Sequence, residues 1–358
     1  LENVESLEPG HFLIYKNNKL VKKKYFELKN IFTNQNKVID IEIEKSVMKH
    51  YTNEVSSCLF LSSGIDSNLI LAILKKNNIE IPTISISFEN FRGDTKISNE
   101  SRIIENICNE HKVENHHSLI TKDLIKEYDN QFCKEMDQPT TDGLNSFIVS
   151  KIANQMNHKV AYSGLGGDEL FCDYGTLKKI KFIYNINKMV KFFGIREILS
   201  KFLKKINLSN PKYKNIFDYD EVSQIYYFIR SLFISGEKVD FFNNSILLDK
   251  FEEKKLPFNN LYLNTSYLEY KIYLRNQLLR DSDWTSMANS IELRVPFVNK
   301  DLILNTFQVN PKITRKNILK KINKNIFSQI SKKKIGFYTP TYNVTNYHNP
   351  LKDRSFSV

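Results

Sequence analysis

Between Cys58 and Lys76 the chain reads CLFLSSGIDSNLILAILKK: an apolar run, a short stretch of small and polar residues, then apolar residues at helical spacing. The run SSCLFLS reads as a buried strand, and Ser67 to Lys76 as a helix with Leu69, Ile70, Ile73 and Leu74 inward. The connecting loop, Ser62-Ser63-Gly64-Ile65-Asp66-Ser67, leads into a helix N-terminus, where backbone N–H groups, hydroxyls and the helix dipole favour an anion. A Walker A loop would end on a lysine, and none is present. Asp66 stands there instead. A carboxylate beside phosphates repels them unless a divalent cation bridges the two, so Asp66 implies Mg2+. Ser63 and Gly64 keep the turn small, and Ser67 is placed to cap the helix. Taken alone, the loop is equally readable as an ordinary strand–turn–helix with local caps.

The alternation continues down the chain. IPTISISF is a second strand, Ser98 to His111 a helix, ENHHSLI a third strand and Thr121 to Met136 another helix. After the turn DQPTTDG, a helix runs through Phe147, Ile148, Ile152 and Met156 to the short strand KVAYS. Strands alternating with helices predict an α/β fold, a doubly wound parallel sheet whose ligands sit at the carboxyl ends of its strands. Residues 176 to 330 are long, basic and helix-patterned, which predicts a mainly helical half packed against that sheet. The opening segment, LEPGHFLIYKNNKLVKKKYFEL, reads as a hairpin turning at KNNK.

Composition narrows the classes. The 358 residues allow one large core or two smaller ones, and 41% hydrophobic with 12% aromatic residues is globular rather than disordered. No apolar stretch approaches the roughly 20 residues that span a bilayer, so no membrane partner is expected. LENVESLEPGHF lacks the features of a signal peptide. Cys58, Cys108, Cys133 and Cys172 form no CxxC pair and suit a reduced, cytoplasmic protein. The net charge of +12 invites a nucleic-acid reading, but the lysines are spread along the chain among Asn and Ile. Nucleic acid is therefore not the expected partner. The chain begins at Leu1 rather than Met, as a fragment or processed product would.

A second loop repeats the theme. In VAYSGLGGDELFCDYG, Val160 to Gly175, three glycines around Leu165 let backbone approach a ligand, and Asp168 and Glu169 start the next helix. A glycine-rich turn with an acidic cap would look similar, but two acid-bearing loops at neighbouring strand ends place Asp66 and Asp168 to hold Mg2+ on a pyrophosphate between them.

These segments resemble the synthetase domain of the asparagine synthetase family. Ser62 to Ser67 matches its pyrophosphate loop, Ser-Gly-Gly-x-Asp-Ser, with Ser63 in place of the first Gly. SGLGGDELFCDY, LLRDSDWTSMANSIELRVPFVNKDLI and SKKKIGFYTP follow in the family's order. The resemblance implies an ATP-pyrophosphatase-type, Rossmann-like synthetase domain over residues 31–358, preceded over residues 1–30 by the last hairpin of a glutaminase-type domain. That domain's amino-terminal cysteine would lie upstream of Leu1, and Cys58, in a core strand, cannot replace it.

The resemblance also implies a reaction. A substrate carboxylate attacks the α-phosphorus of ATP, pyrophosphate leaves on Mg2+, and a nitrogen nucleophile displaces AMP. Phe60 and Leu61 lead into the pyrophosphate end, formed by Ser62, Ser63, Gly64, Asp66 and Ser67. Ile86, Ser163 and Gly164 match positions that hold adenosine, and Asp66 and Asp168 hold the metal. Lys334 matches the lysine that neutralises charge as the adenylate forms, and Asp66 and Glu169 are the other candidate catalytic residues, with Glu169 or a bound water taking the proton from the attacking nitrogen. Glu292 and Arg294 either line the wall beneath the nucleotide or form a structural ion pair, and the structural role is the favoured one. The implied partners are a small carboxylate such as aspartate and ammonia from a glutaminase domain absent here, with a homodimer allowed for. Leu165 departs from the pattern: many members carry an acidic residue there, and an aliphatic side chain cannot be a general base. Rival readings are an amide-forming synthetase for a sugar acid or peptide, a tRNA-modifying ATP pyrophosphatase and a non-catalytic ATP-binding module.

Overall fold

The computed structural model describes residues 5–27, 39–89, 95–136, 140, 143–171, 175–206, 211–231, 256–306 and 314–330. Strands β1 (His11–Lys16) and β2 (Lys19–Lys24) form an antiparallel hairpin with Lys16 opposite Lys19. Asn17 and Asn18 both take positive φ, 52° and 55°, which is the two-residue turn whose twist suits paired strands. The hairpin expected at KNNK therefore forms.

The main sheet has five strands: β3 (Ser57–Phe60), β4 (Thr83–Phe88), β5 (Asn115–Ile120), β6 (Val160–Tyr162) and β7 (Glu292–Arg294). Their order is β5-β4-β3-β6-β7, and every neighbouring pair is parallel. The first four lie on the runs read as strands. Residues 176 to 330 are mainly helical as expected, and β7 is the strand among their described residues that the sequence did not announce. Its three residues, Glu-Leu-Arg, have no apolar run to announce them, and they pair only because β6 offers its free edge. Arg294 steadies this edge: its Nε donates to Glu292 at 2.8 Å and its Nη1 to the His50 carbonyl at 2.7 Å. The structural role read for Glu292 and Arg294 agrees with this geometry.

Helices α1 (Ile39–His50), α2 (Ile65–Lys76), α3 (Thr95–His111), α4 (Lys122–Glu135) and α5 (Leu144–Gln155) connect and flank the strands. A short α6 (Gly167–Leu170) opens the helical half: α7 (Gly175–Phe192), α8 (Arg196–Lys205), α9 (Val222–Arg230) and α10 (Leu261–Leu268). α10 runs on through the π-wound stretch Glu269–Leu279 into α11 (Arg280–Met287). Beyond β7 come α12 (Lys300–Thr306), α13 (Arg315–Ile322) and α14 (Lys324–Gln329).

The period of two along a strand splits the core between the two faces of the sheet. Leu59, Val160 and Tyr162 point into one apolar cluster, and Cys58 and Ala161 into the other. Doubly wound packing follows directly. α2 departs from the expected one-sided helix: Leu69, Ile70, Leu71, Ala72, Ile73 and Leu74 are all buried. α1, α13 and α14 all pack on it, so it has no solvent face along these turns. Burial pushes the Cys58 thiol up to about 12, which keeps it an unreactive core residue. Among the described residues, no helix is long and apolar enough to cross a membrane.

Candidate active site

The strand order reverses between β3 and β6: the chain proceeds from β3 outward through β4 to β5, then returns to place β6 on the other side of β3. Such a switch point opens a crevice at the strands' carboxyl ends. The two acid-bearing loops leave those two strands.

The first loop is tied closed from within. The Gly64 N–H donates to Ser62 Oγ at 3.2 Å, and the Ser62 N–H to Ser67 Oγ at 3.1 Å. Asn68 Nδ2 donates to the carbonyls of Ser62 and Gly64 at 2.8 and 2.7 Å. α2 begins at Ile65, with Gly64 as its cap residue, two positions earlier than the sequence suggested. Ser67 is therefore not the cap: it lies in the first helical turn, and its hydroxyl serves the loop. Asp66 sits in that same turn, where the helix dipole favours a carboxylate. Ser63 is buried, and its Oγ donates to Glu100 Oε1 at 2.9 Å, so the residue replacing the family's glycine ties the loop to α3. Burial raises the Glu100 carboxyl above its ordinary value, and the Ser63 hydrogen bond opposes that rise.

The second loop follows β6. The Ser163 N–H donates to the Arg294 carbonyl at 2.9 Å, and Gly166 takes φ 91°, a left-handed conformation suited to glycine. Gly164 and Gly167 press against the first loop. A Cβ on Gly164 would lie 2.6 Å from Asp66 Cβ and 2.8 Å from the Ser67 nitrogen. One on Gly167 would lie 2.3 Å from Asp66 Oδ1. The glycines give Asp66 its place.

What joins the two acids is Arg315, which the sequence reading missed. It is the first residue of α13, behind the Thr314 cap, whose hydroxyl accepts from the Asn317 N–H at 3.3 Å. Its Nη1 donates to both carboxylate oxygens of Asp66, and its Nη2 to Asp168 Oδ1 at 2.7 Å. The guanidinium side chain is 4% exposed, against 17% for Asp66 and 12% for Asp168. A signal was present: Arg315 shares a helical face with Ile318 and Leu319, both buried, and an arginine on an apolar face needs a carboxylate partner.

The other expected site residues take varied places. Phe60 ends β3 half-buried, and Leu61 points into the core, its N–H donating to the Ile84 carbonyl at 2.9 Å. Ile86 is half-buried toward the carboxyl end of β4, and Ser163, Gly164 and Leu165 are half-buried at the end of β6. Leu165 rests against the apolar cluster. Glu169 is 1% exposed, beneath the loop, where its charge adds to burial in raising the Tyr270 hydroxyl. Lys334 and Cys172 lie outside the described residues. Asp66 and Asp168 supply a donor set that fits Mg2+, which takes one or two carboxylates and completes its shell with phosphate oxygens and water. No cluster of three or more His, Cys, Asp or Glu residues occurs among the described residues, which is not the closed cage of a structural metal.

Fold and site together define a parallel α/β protein with two acid-bearing loops meeting at the sheet switch point. The Asparagine synthase family profile matches residues 39–353, and the chain belongs to that family. It is 25% identical over 393 residues to the glutamine-hydrolysing asparagine synthetase 1 of Bacillus subtilis, covering 94% of this chain and 56% of that protein. A putative glutamine-hydrolysing asparagine synthetase of Mycobacterium tuberculosis H37Rv is 25% identical over 292 residues, covering 76% of this chain and 42% of the relative. The chain thus spans about half the length of the curated relatives it matches. Among solved structures, the U34-tRNA thiolase NcsA of Methanococcus maripaludis aligns over 72% of this chain and 82% of its own, at 13% identity. Its TM-score of 0.29 is too low to carry an argument.

The interlock of the loops makes Gly164 a sensitive position. Gly164→Ala is expected to cost about 1–3 kcal/mol of stability through overpacking. Gly175→Ala, where a Cβ meets nothing within 4 Å, is the matched control and should stay within about 0.5 kcal/mol of the parent. Urea unfolding of both variants gives the comparison, and equal midpoints would show that the loops have room to spare.

Proposed function

We propose that this chain is an ATP-dependent, AMP-forming amide ligase of the asparagine synthetase kind. The observation that carries the reading is the convergence of Asp66 and Asp168 at the switch point, in a phosphate crevice without a P-loop lysine. A carboxylate is a poor acyl donor until it is joined to AMP. The reaction therefore has two halves: the carboxylate attacks the α-phosphorus and displaces pyrophosphate, then a nitrogen nucleophile attacks the acyl carbon and displaces AMP.

The residues divide that work. Ser62, Ser63, Gly64 and Ser67 shape the loop whose N–H groups and hydroxyls receive the pyrophosphate end. Asp66 and Asp168 would hold Mg2+, which supplies charge compensation on the phosphates when bound. Ile86, Ser163 and Gly164 flank the adenosine, with the backbone of Phe60 and Leu61 beneath it. Lys334 offsets charge as the adenylate forms. Glu169, buried under the loop, acts by holding the loop and its charge in place rather than by reaching the substrate. The nitrogen is ammonia, delivered by a glutaminase whose final hairpin β1–β2 represents, and the enzyme works in the cytoplasm, with a homodimer as the assembly to test.

Incubation with Mg2+, ATP, ammonium and candidate carboxylates should yield AMP and pyrophosphate. Asp66→Asn and Asp168→Asn should each lower turnover by about 100-fold or more while leaving the far-UV dichroism unchanged. ADP as the main product would overturn the reading.

The acceptor is argued from Leu165. It rests on the apolar cluster where many family members carry an acid, so this position brings no charge to the side of the adenylate. That favours a larger or less charged carboxylate, a sugar acid or peptide, over zwitterionic aspartate. Leu165→Glu is expected to raise aspartate-dependent pyrophosphate release relative to the parent. Brisk turnover of aspartate by the parent, with no gain in the variant, would assign aspartate as the acceptor.

A further inference from the structure

Arg315 occupies the position that the proposed metal-binding reading leaves unexplained. Two carboxylates, both largely buried, converge on one guanidinium that is itself 4% exposed. The arrangement is built rather than incidental. Arg315 reaches Asp66 across 249 residues of chain, from the first turn of α13. Gly167 stands beside it, where a Cβ would come within 3.1 Å of Nη1 and 2.3 Å of Asp66 Oδ1. α13 in turn packs against α2, the helix that carries Asp66. The guanidinium is thus fixed relative to the loop that it neutralises.

A planar guanidinium fork fits a carboxylate and a phosphate equally well, while an ammonium or a bare metal ion does not offer that choice. A free divalent cation that took Asp66 and Asp168 would leave the Arg315 cation buried with those two partners lost, which is strongly unfavourable. A cation arriving with phosphate avoids the loss, because the fork can exchange carboxylate oxygens for phosphate oxygens without ever standing unpaired.

We infer that Arg315 is a built-in counter-cation that keeps Asp66 and Asp168 closed to free divalent metal and yields them only when phosphate is there to receive its guanidinium. It is a positioning residue for the metal–pyrophosphate end of the substrate. The inference rests on the reading of Asp66 and Asp168 as metal-facing. Its consequence is that metal and pyrophosphate bind in concert: neither loads well alone.

The test is equilibrium dialysis of the full 358-residue chain against Mn2+, with and without inorganic pyrophosphate, which needs no turnover. The parent protein should retain little Mn2+ alone and bind the preformed Mn2+–pyrophosphate complex. Arg315→Gln should bind Mn2+ without pyrophosphate at least about tenfold more tightly than the parent, and bind the complex more weakly. Arg315→Lys, which keeps the charge but not the fork, should still exclude free Mn2+ and yet bind the complex poorly. Parent protein that holds Mn2+ as tightly without pyrophosphate as with it would overturn the inference, whether or not the glutamine variant folds. So would an Arg315→Gln protein that gains no metal. Asp66→Asn and Asp168→Asn separate the two levels: if they leave the complex bound, the functional reading fails, whereas if they abolish it while Arg315 variants behave as the parent, only the role of Arg315 fails.

Discussion

Two aspartates and an arginine, each mostly withdrawn from water, meet where the parallel sheet reverses its strand order. Their desolvation is costly, and such a cluster persists only when each charge has a partner in good geometry. That requirement reaches back into three separate parts of the chain. It explains why α13 docks on α2, why the second loop carries glycine at 164 and 167, and why Asp66 stands in the first turn of a helix whose residues 69–74 are all apolar and buried. A cluster of this kind is weak evidence for stability but strong evidence that one particular arrangement of loops is specified.

The same cluster separates what could be read in the sequence from what could not. Strand–loop–helix units announce themselves locally: β3, β4, β5 and β6 each combine β-rich runs with turn residues, and the two loops carry their acids within a few positions of the strand ends. Asp66 and Asp168 were legible as a pair because each loop carries its acid beside a strand end. Arg315 was not, since one arginine in a lysine-rich segment looks like a solvated face until its register with Ile318 and Leu319 is counted. β7 was hidden for a different reason. Its pairing energy comes from the β6 edge and from the Arg294 contacts, neither of which leaves a pattern in Glu-Leu-Arg. The shift of the α2 start from Ser67 to Ile65 is a case of a hydroxyl finding better use inside the loop than at the cap.

Two departures from the family's pattern bear on chemistry. Ser63 replaces a glycine, and its hydroxyl is turned onto Glu100. Leu165 replaces an acid in many members, and its side chain lies on the apolar cluster. The first ties the loop to α3 by an added contact. The second puts an aliphatic side chain where an acid would carry charge, and the proposed choice of acceptor rests on that difference.

The central claim is that the loops after β3 and β6 form a single site for the phosphates of one nucleotide. Calorimetric titration of Mg2+ with a non-hydrolysable α,β-methylene ATP into the parent, Asp66→Asn, Asp168→Asn and the double variant measures this directly. If both carboxylates share one metal–phosphate group, the losses of the single variants should be non-additive, with a coupling of about 1 kcal/mol or more. Losses that simply add would mean that the two aspartates serve separate sites, and would contradict the account.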